Sequence, residues 1–395
     1  MPNESANNFN KDRSSMEIYY WSKLNSDNKL AGGDIRAKYV IPKMMQISKD
    51  SCYLLLPETI LRKELLANHP SFSKILLNVL IPIRIAKVVN ESGKKIKFVY
   101  CSTCYSWDIL PAIFSKFLFH SKLVCISHDT PKQLSGYSFY RESEEFTILK
   151  SFLFTLIGKF QVFLLKYVDV PISISKFATD FFVDPNVQKK VLLSSNTIPK
   201  VLTKPCNISR YYDIVLLGRI IPRKNIDKFI KVFKNKQYHR KIELLVITNS
   251  LKSSVEHEIL RDLDSNILNL TVKYDASEEE KFNLLSQSKV YVSLSKDENF
   301  SIAAMEAASM GCVLILSDYS FFRDIYGEGA IYVDEDSGDK IWKNITNALN
   351  NQRMLEEYSD LAIKIASKYL VENVARQDYE LVLKNIMDRE FENET

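Results

Sequence analysis

Short apolar runs alternate along this chain with longer stretches of helical spacing, a pattern that predicts an α/β protein built on parallel sheets. In the first half, residues 17–21, 52–56, 97–101, 123–127 and 168–175 read as strands. In the second half, residues 213–217, 244–248, 290–294 and 312–316 repeat the pattern. Helices are expected at 35–46, 61–90, 146–167, 277–286, 302–310, 339–349, 352–369 and 371–387. Residues 1–15 are polar and read as a disordered tail. With 395 residues, two domains of ordinary size are expected. We set them at 16–203 and 204–370, with a linker around 200–210 and a closing helix in 371–395.

The chain is organised around residues 295–311. An apolar strand, 290–294, runs into a polar loop carrying Glu298, Asn299, Phe300 and Ser301. An Ala-rich helix then starts at Ile302, carries Glu306 and stops at Gly311. The loop lies at the carboxyl end of a strand, where open α/β folds bind ligands. Carboxylates are acceptors suited to sugar or ribose hydroxyls, and the helix N-terminus beside them suits phosphate oxygens. Together these features suggest a nucleotide-sugar. A plainer reading is a surface Glu298 and a buried Glu306 ion-paired to a neighbour.

A second cluster follows the strand at 213–217, where Gly218 allows close approach and Arg219 and Lys224 bring two cations beside a helix starting near Asn225. Cations and free amides at such a turn make a diphosphate site.

The Glu298-x7-Glu306 spacing, with Phe300, Ala307 and Gly311 in place and Gly218-Arg219 and Lys224 upstream, resembles the retaining glycosyltransferases of family 4. The resemblance implies a GT-B fold, two Rossmann-like domains with parallel sheets facing across a cleft. It also implies transfer of a sugar from a UDP- or GDP-linked donor to a glycan or lipid-linked acceptor, as in surface polysaccharide synthesis, with no metal and no further cofactor. By resemblance Glu306 holds the ribose, and Gly218, Asn299, Phe300, Ser301 and Ile302 line the donor. Glu298, Arg219 and Lys224 both bind the donor and act in catalysis. Gly32 and Gly33, in a polar loop after the first strand, face the donor from the first domain; a plain turn is the alternative. His128, ending the strand at 123–127 beside Asp129, sits by the reacting sugar. Residues 194–199, which follow another apolar strand, resemble the family's loop at the domain junction. Four positions depart from the family: Ser301 and Thr197 stand where Gly is usual, and Ser320 and Asp324 replace its Gly-turn and Glu. A nucleotide-sugar epimerase, or a silent donor-binding partner subunit, remains an alternative.

Charge is uneven: residues 1–205 hold 28 Lys+Arg against 17 Asp+Glu, and residues 206–395 hold 25 against 31. A basic first half admits an anionic partner such as a membrane surface, and no nucleic acid is expected. Residues 61–90, with Arg62, Lys63, Lys74, Arg84 and Lys87 among apolar residues, either pack on the sheet or lie on a bilayer. The helix at 146–167, rich in Phe and Leu, either brushes the bilayer or is buried. No segment reads as a signal peptide or a spanning helix, so a cytoplasmic protein peripheral to a membrane is expected. The lone Cys101-x2-Cys104 pair lacks the second half of a zinc site.

Overall fold

The apolar runs become two six-stranded sheets, parallel at every pairing. In this computed structural model residues 15–20, 32–61, 70–128, 148–174, 176, 191–201, 210–249, 254–263 and 267–394 are described. The chain divides into two units, residues 1–195 with 371–395, and residues 196–370. The division falls within the 194–199 loop, earlier than the 203/204 boundary read from the sequence. Most of the expected linker, the tail to residue 14, Asp129 and the loop up to Ala31 lie outside the described residues.

The first unit orders its strands β2-β1-β3-β4-β5-β6, namely β1 (Ser15–Tyr20), β2 (Ser51–Leu55), β3 (Lys95–Cys101), β4 (Lys122–Ser127), β5 (Val170–Ser173) and β6 (Leu192–Leu193). Helices α1 (Gly32–Ile47), α2 (Pro70–Ser92), α3 (Ser106–Phe119) and α4 (Ile148–Leu164) complete it. Helix α2 packs on the core through Leu77, Ile81, Ile85 and Val88, all buried, so the sheet-packing reading of 61–90 holds for its described part.

The second unit contains β7 (Tyr212–Leu217), α5 (Ile226–Phe233), β8 (Ile242–Thr248), α6 (Ser254–Leu263), β9 (Leu268–Tyr274), α7 (Glu278–Ser286) and β10 (Ser288–Ser293). It continues through α8 (Ile302–Ser309), β11 (Val313–Ser317), α9 (Ser320–Tyr326), β12 (Ala330–Val333), α10 (Gly338–Asn350) and α11 (Gln352–Ser367). Its order is β12-β11-β10-β7-β8-β9, with the reversal between β7 and β10. Such a switch point opens a crevice at the strands' carboxyl ends. Strands β9 and β12 had no counterpart among the expected strands. Strand β9 is half exposed at the sheet edge, with its apolar residues interleaved by Asn, Thr and Lys, and β12 is only four residues long.

The last helix, α12 (Val371–Glu394), belongs to the first unit. It is held there by a buried ion pair of Arg36 on α1 with Asp378. Arg36 also donates to the Tyr100 hydroxyl at 2.9 Å, the Ser195 carbonyl at 2.9 Å and Ser194 Oγ at 3.1 Å. Burial opposes the guanidinium's charge, but Asp378 and Tyr100 more than offset it. Tyr379, one residue on, donates to Glu17 Oε1 at 2.8 Å.

Candidate active site

Two loops meet where the second sheet reverses. After β7 the chain passes through Gly218 at φ 132°, a conformation that L side chains rarely adopt. A Cβ there would lie 3.8 Å from Lys224 Cε, so glycine leaves the backbone open beside that lysine. Arg219 is exposed, and Lys224 ends a 3-10 turn, Pro222–Lys224. Asn225 adopts the left-handed conformation before α5. Its side chain does not cap that helix but donates to the Leu294 carbonyl at 2.7 Å, joining the loop after β7 to the loop after β10. Lys296 N–H to Arg223 O, 3.0 Å, makes a second tie.

These ties bring Glu298 to Lys224. The two form an ion pair, with side chains 11% and 17% exposed. Glu306, in α8, is buried and ion-paired with Lys281 of α7. Burial pushes its carboxyl up, and the Lys281 ammonium opposes that shift. The ion-paired reading of Glu306 is therefore what the fold shows, whatever else the carboxylate does. Lys281 was not among the residues singled out from the sequence. The one local signal was the Ser277 cap, whose Oγ accepts from Glu280 N–H at 3.2 Å and starts α7 so that Lys281 falls in its first turns.

Ser301 precedes α8 at φ 52°, buried, and its carbonyl accepts from the Tyr326 hydroxyl at 3.1 Å. Ile302 is the first residue of α8. The Phe300 ring is buried and packs edge-on against Tyr369, centroids 5.2 Å apart. Asn299 is half-buried in the same loop. Gly311 sits at φ 74°, and a Cβ there would fall 2.7 Å from both Arg210 Nη2 and Ser359 Oγ. Helix α8 therefore ends where the Arg210 side chain crosses beneath it. The space beside Gly218, lined by Leu217, Lys224, Tyr291 and Ser293, is about 30 Å³.

In the first unit, Gly32 and Gly33 open α1 itself, correcting the expectation of a loop running to a helix at Ile35. His128 follows β4, half-buried, with a ring nitrogen 3.2 Å from the Ser102 carbonyl. Burial and the Arg36 guanidinium push its pKa well below the usual histidine value, so it is neutral at pH 7. Cys101 and Cys125 both donate to the Thr103 carbonyl, at 3.1 and 3.2 Å.

Residues 204–365 match the family model described as glycosyl transferases group 1. The matched segment lies within the second unit, which is thus similar to group 1 glycosyl transferases. Among curated relatives, the chain is 28% identical over 165 residues to the O-antigen chain mannosyltransferase RfbU of Salmonella typhimurium, covering 42% of each. It is 22% identical over 231 residues to the poly(glycerol-phosphate) alpha-glucosyltransferase of Bacillus subtilis, covering 54% of this chain and 32% of the relative. The chain thus spans less than half the length of these two curated relatives. Among solved structures, Anabaena Alr3699/HepE in complex with UDP-glucose superposes with TM-score 0.63 at 12% identity, covering 93% of this chain and 99% of that one. The α/β architecture is that of the GT-B glycosyltransferases. The matched segment holds Gly218, Arg219, Lys224, Glu298 and Glu306; Gly32, Gly33 and His128 belong to the other unit.

Proposed function

We propose that this chain is a retaining, metal-independent glycosyltransferase of family 4 that uses a UDP- or GDP-linked sugar. One observation carries this reading: Lys224 and Glu298 are paired beside Gly218 at the switch point of the second sheet. A donor exchanges that pair for two others, diphosphate on Lys224 and sugar hydroxyls on Glu298. Each charge then keeps a partner, so binding does not strand a buried ion. Arg219, exposed beside them, adds a second cation to the diphosphate. Glu306 takes the ribose hydroxyls while Lys281 offsets its charge. As the bond from the anomeric carbon to the diphosphate breaks, negative charge grows on the leaving oxygen, and Lys224 and Arg219 stabilise it. The acceptor hydroxyl attacks the same face and passes its proton to that oxygen. His128, neutral, lies toward the reacting sugar in this reading. The acceptor is a glycan or a lipid-linked glycan, in keeping with the O-antigen chain and poly(glycerol-phosphate) in the relatives' names, and the setting is cytoplasmic.

Thermal shift with UDP, GDP and ADP tests it. A nucleotide at about 100 times its Kd stabilises the wild type by about 2.7 kcal/mol. Glu306→Ala and Arg219→Ala/Lys224→Ala should abolish that gain. Stabilisation by none of the three nucleotides would sink the proposal and favour a silent subunit.

A further inference from the structure

Helix α4 is inside out. Its inward positions are Ser151, Thr155, Gly158 and Gln161, all buried. Thr155 Oγ1 donates to the Ser151 carbonyl at 2.8 Å, and Gln161 Nε2 reaches Cys104 Sγ at 3.8 Å, so these two side chains find partners within the protein. Its outward positions are Leu149, Phe152, Leu153, Leu156, Phe160 and Phe163, from 47% to 77% exposed. Their spacing is that of one helical stripe. A water-facing helix has the opposite arrangement, because exposed aromatic and aliphatic surface costs free energy in water.

The stripe does not stop at the helix. Tyr167 stands 5.8 Å from the Phe163 ring and 6.1 Å from the Phe117 ring of α3. Phe114, Phe117 and Leu118 of α3 are 51% to 63% exposed. A continuous apolar face across two helices exceeds what scattered surface residues produce and marks an interaction surface.

We infer that this α3–α4 face docks on an anionic lipid bilayer, lying in its surface. Charge selects that occupant. Residues 148–167 hold three lysines and no acidic residue. Lys159 and Lys166 are exposed among the rings, and Lys166 Nζ lies 5.9 Å from the Phe163 centroid. Ammonium groups on long stems beside buried rings suit the headgroup layer, with the rings below it. A second copy fits less well. A two-fold contact sets the same patch against itself and opposes these cations, with no acid in the helix to meet them. Among the described residues no helix is long and apolar enough to cross a membrane, and the inner side of α4 is occupied by its own unit. The geometry is that of a helix resting on the membrane surface. It stands whether or not the donor cradle binds nucleotide.

The test is co-sedimentation of the full chain with vesicles of phosphatidylcholine alone, and of phosphatidylcholine and phosphatidylglycerol in equal parts. The wild type should pellet with the mixed vesicles and bind phosphatidylcholine about tenfold more weakly or less. Phe152→Asp/Phe160→Asp should lower partitioning onto mixed vesicles by about tenfold or more, with its melting temperature retained because both rings are exposed. Lys159→Glu/Lys166→Glu should lose binding to mixed vesicles and leave the weak phosphatidylcholine binding unchanged. A wild type that stays in solution with both vesicles overturns the inference, as does an Asp variant that binds like the wild type. A dimer in solution that Phe152→Asp/Phe160→Asp converts to monomer, without vesicle binding, overturns it in favour of a contact between copies.

Discussion

The two units share an architecture of six parallel strands flanked by helices, yet they place charge and apolar surface oppositely. In the second, Lys224–Glu298 joins two loops at the carboxyl ends of strands and Lys281–Glu306 joins α7 to α8, while Asp213 at the amino end of β7 is buried against Arg240 and Lys289. In the first, Arg36–Asp378 is a fully buried pair, with Glu17 buried as well, and apolar side chains stand outside on α3 and α4. Lys–Glu pairs at strand ends can exchange partners with a ligand. A pair with no exposure, bonded on every side to its own chain, is a structural tie. The difference explains why the family match lies in residues 204–365. Ligand chemistry restricts residue types at fixed spacing, whereas a packing tie can be built in many ways.

The sharpest way to break this comparison is to cut the tie. Arg36→Ala leaves Asp378 buried without its cation, which should cost about 3–5 kcal/mol. The expected outcome is a large fall in the melting temperature of the first unit, detached from α12, with the nucleotide-dependent shift of the second unit preserved. Differential scanning calorimetry with and without nucleotide reads both. If nucleotide stabilisation disappears as well, the tie serves the donor site and the division of labour drawn above is wrong.

A smaller effect is expected at Gly311. Gly311→Ala places a methyl group 2.7 Å from Arg210 Nη2 and Ser359 Oγ, at a backbone conformation hostile to L residues. Arg210 cannot swing away cheaply, since it donates to the Ser288 carbonyl at 2.9 Å and to the Gly311 carbonyl at 2.5 Å. The variant should lose about 2 kcal/mol or more, measured by urea unfolding. Here the damage belongs to the second unit alone.

Much of the second unit's site was legible in the sequence because its parts are local. Strand, glycine, two cations and a helix start fall within residues 213–227, and the two glutamates with their helix within 298–311. What could not be read was pairing across distance. Lys281 lies 25 residues from Glu306, and Arg36 lies 342 residues from Asp378, so no spacing announced either contact. The helix starts beside Asn225 as expected, but the bond of the Asn225 amide to the Leu294 carbonyl, 69 residues away, was hidden as well. The direction of α4 was equally hidden. Its inner residues are small or weakly polar, so the sequence shows an apolar helix without showing which face is covered.

His128 separates the units by pH. Its folded pKa is depressed by burial and by Arg36, so the unfolded chain binds its proton more readily. The stability this contributes is present above the unfolded value of about 6.5 and is lost as pH falls through the range below it. By NMR, the His128 ring signals should stay neutral at pH 6, where an exposed histidine is largely charged. His128→Asn should flatten the acid limb of the first unit's stability profile. A His128 titration near 6.5 would mean the ring is solvated and the Arg36 field does not reach it.

The smallest effect is expected at Ser301, where a residue with a Cβ holds φ 52° and ψ 71° before α8. That conformation costs an L residue about 1–2 kcal/mol. Glycine would remove the strain, but it also loosens the unfolded chain, which returns about 0.5–1 kcal/mol of the gain. The Tyr326 hydroxyl bonds the Ser301 carbonyl, not its side chain, so that contact survives the change. Ser301→Gly should therefore stabilise the second unit by no more than about 1 kcal/mol, a rise of about 2–4 °C in melting temperature. Such a rise would show that the loop tolerates strain between Glu298 and α8, while the first unit's stability stays unmoved. A fall would mean that the serine hydroxyl is held by the loop, and that this departure from the glycine usual in the family is compensated within the chain.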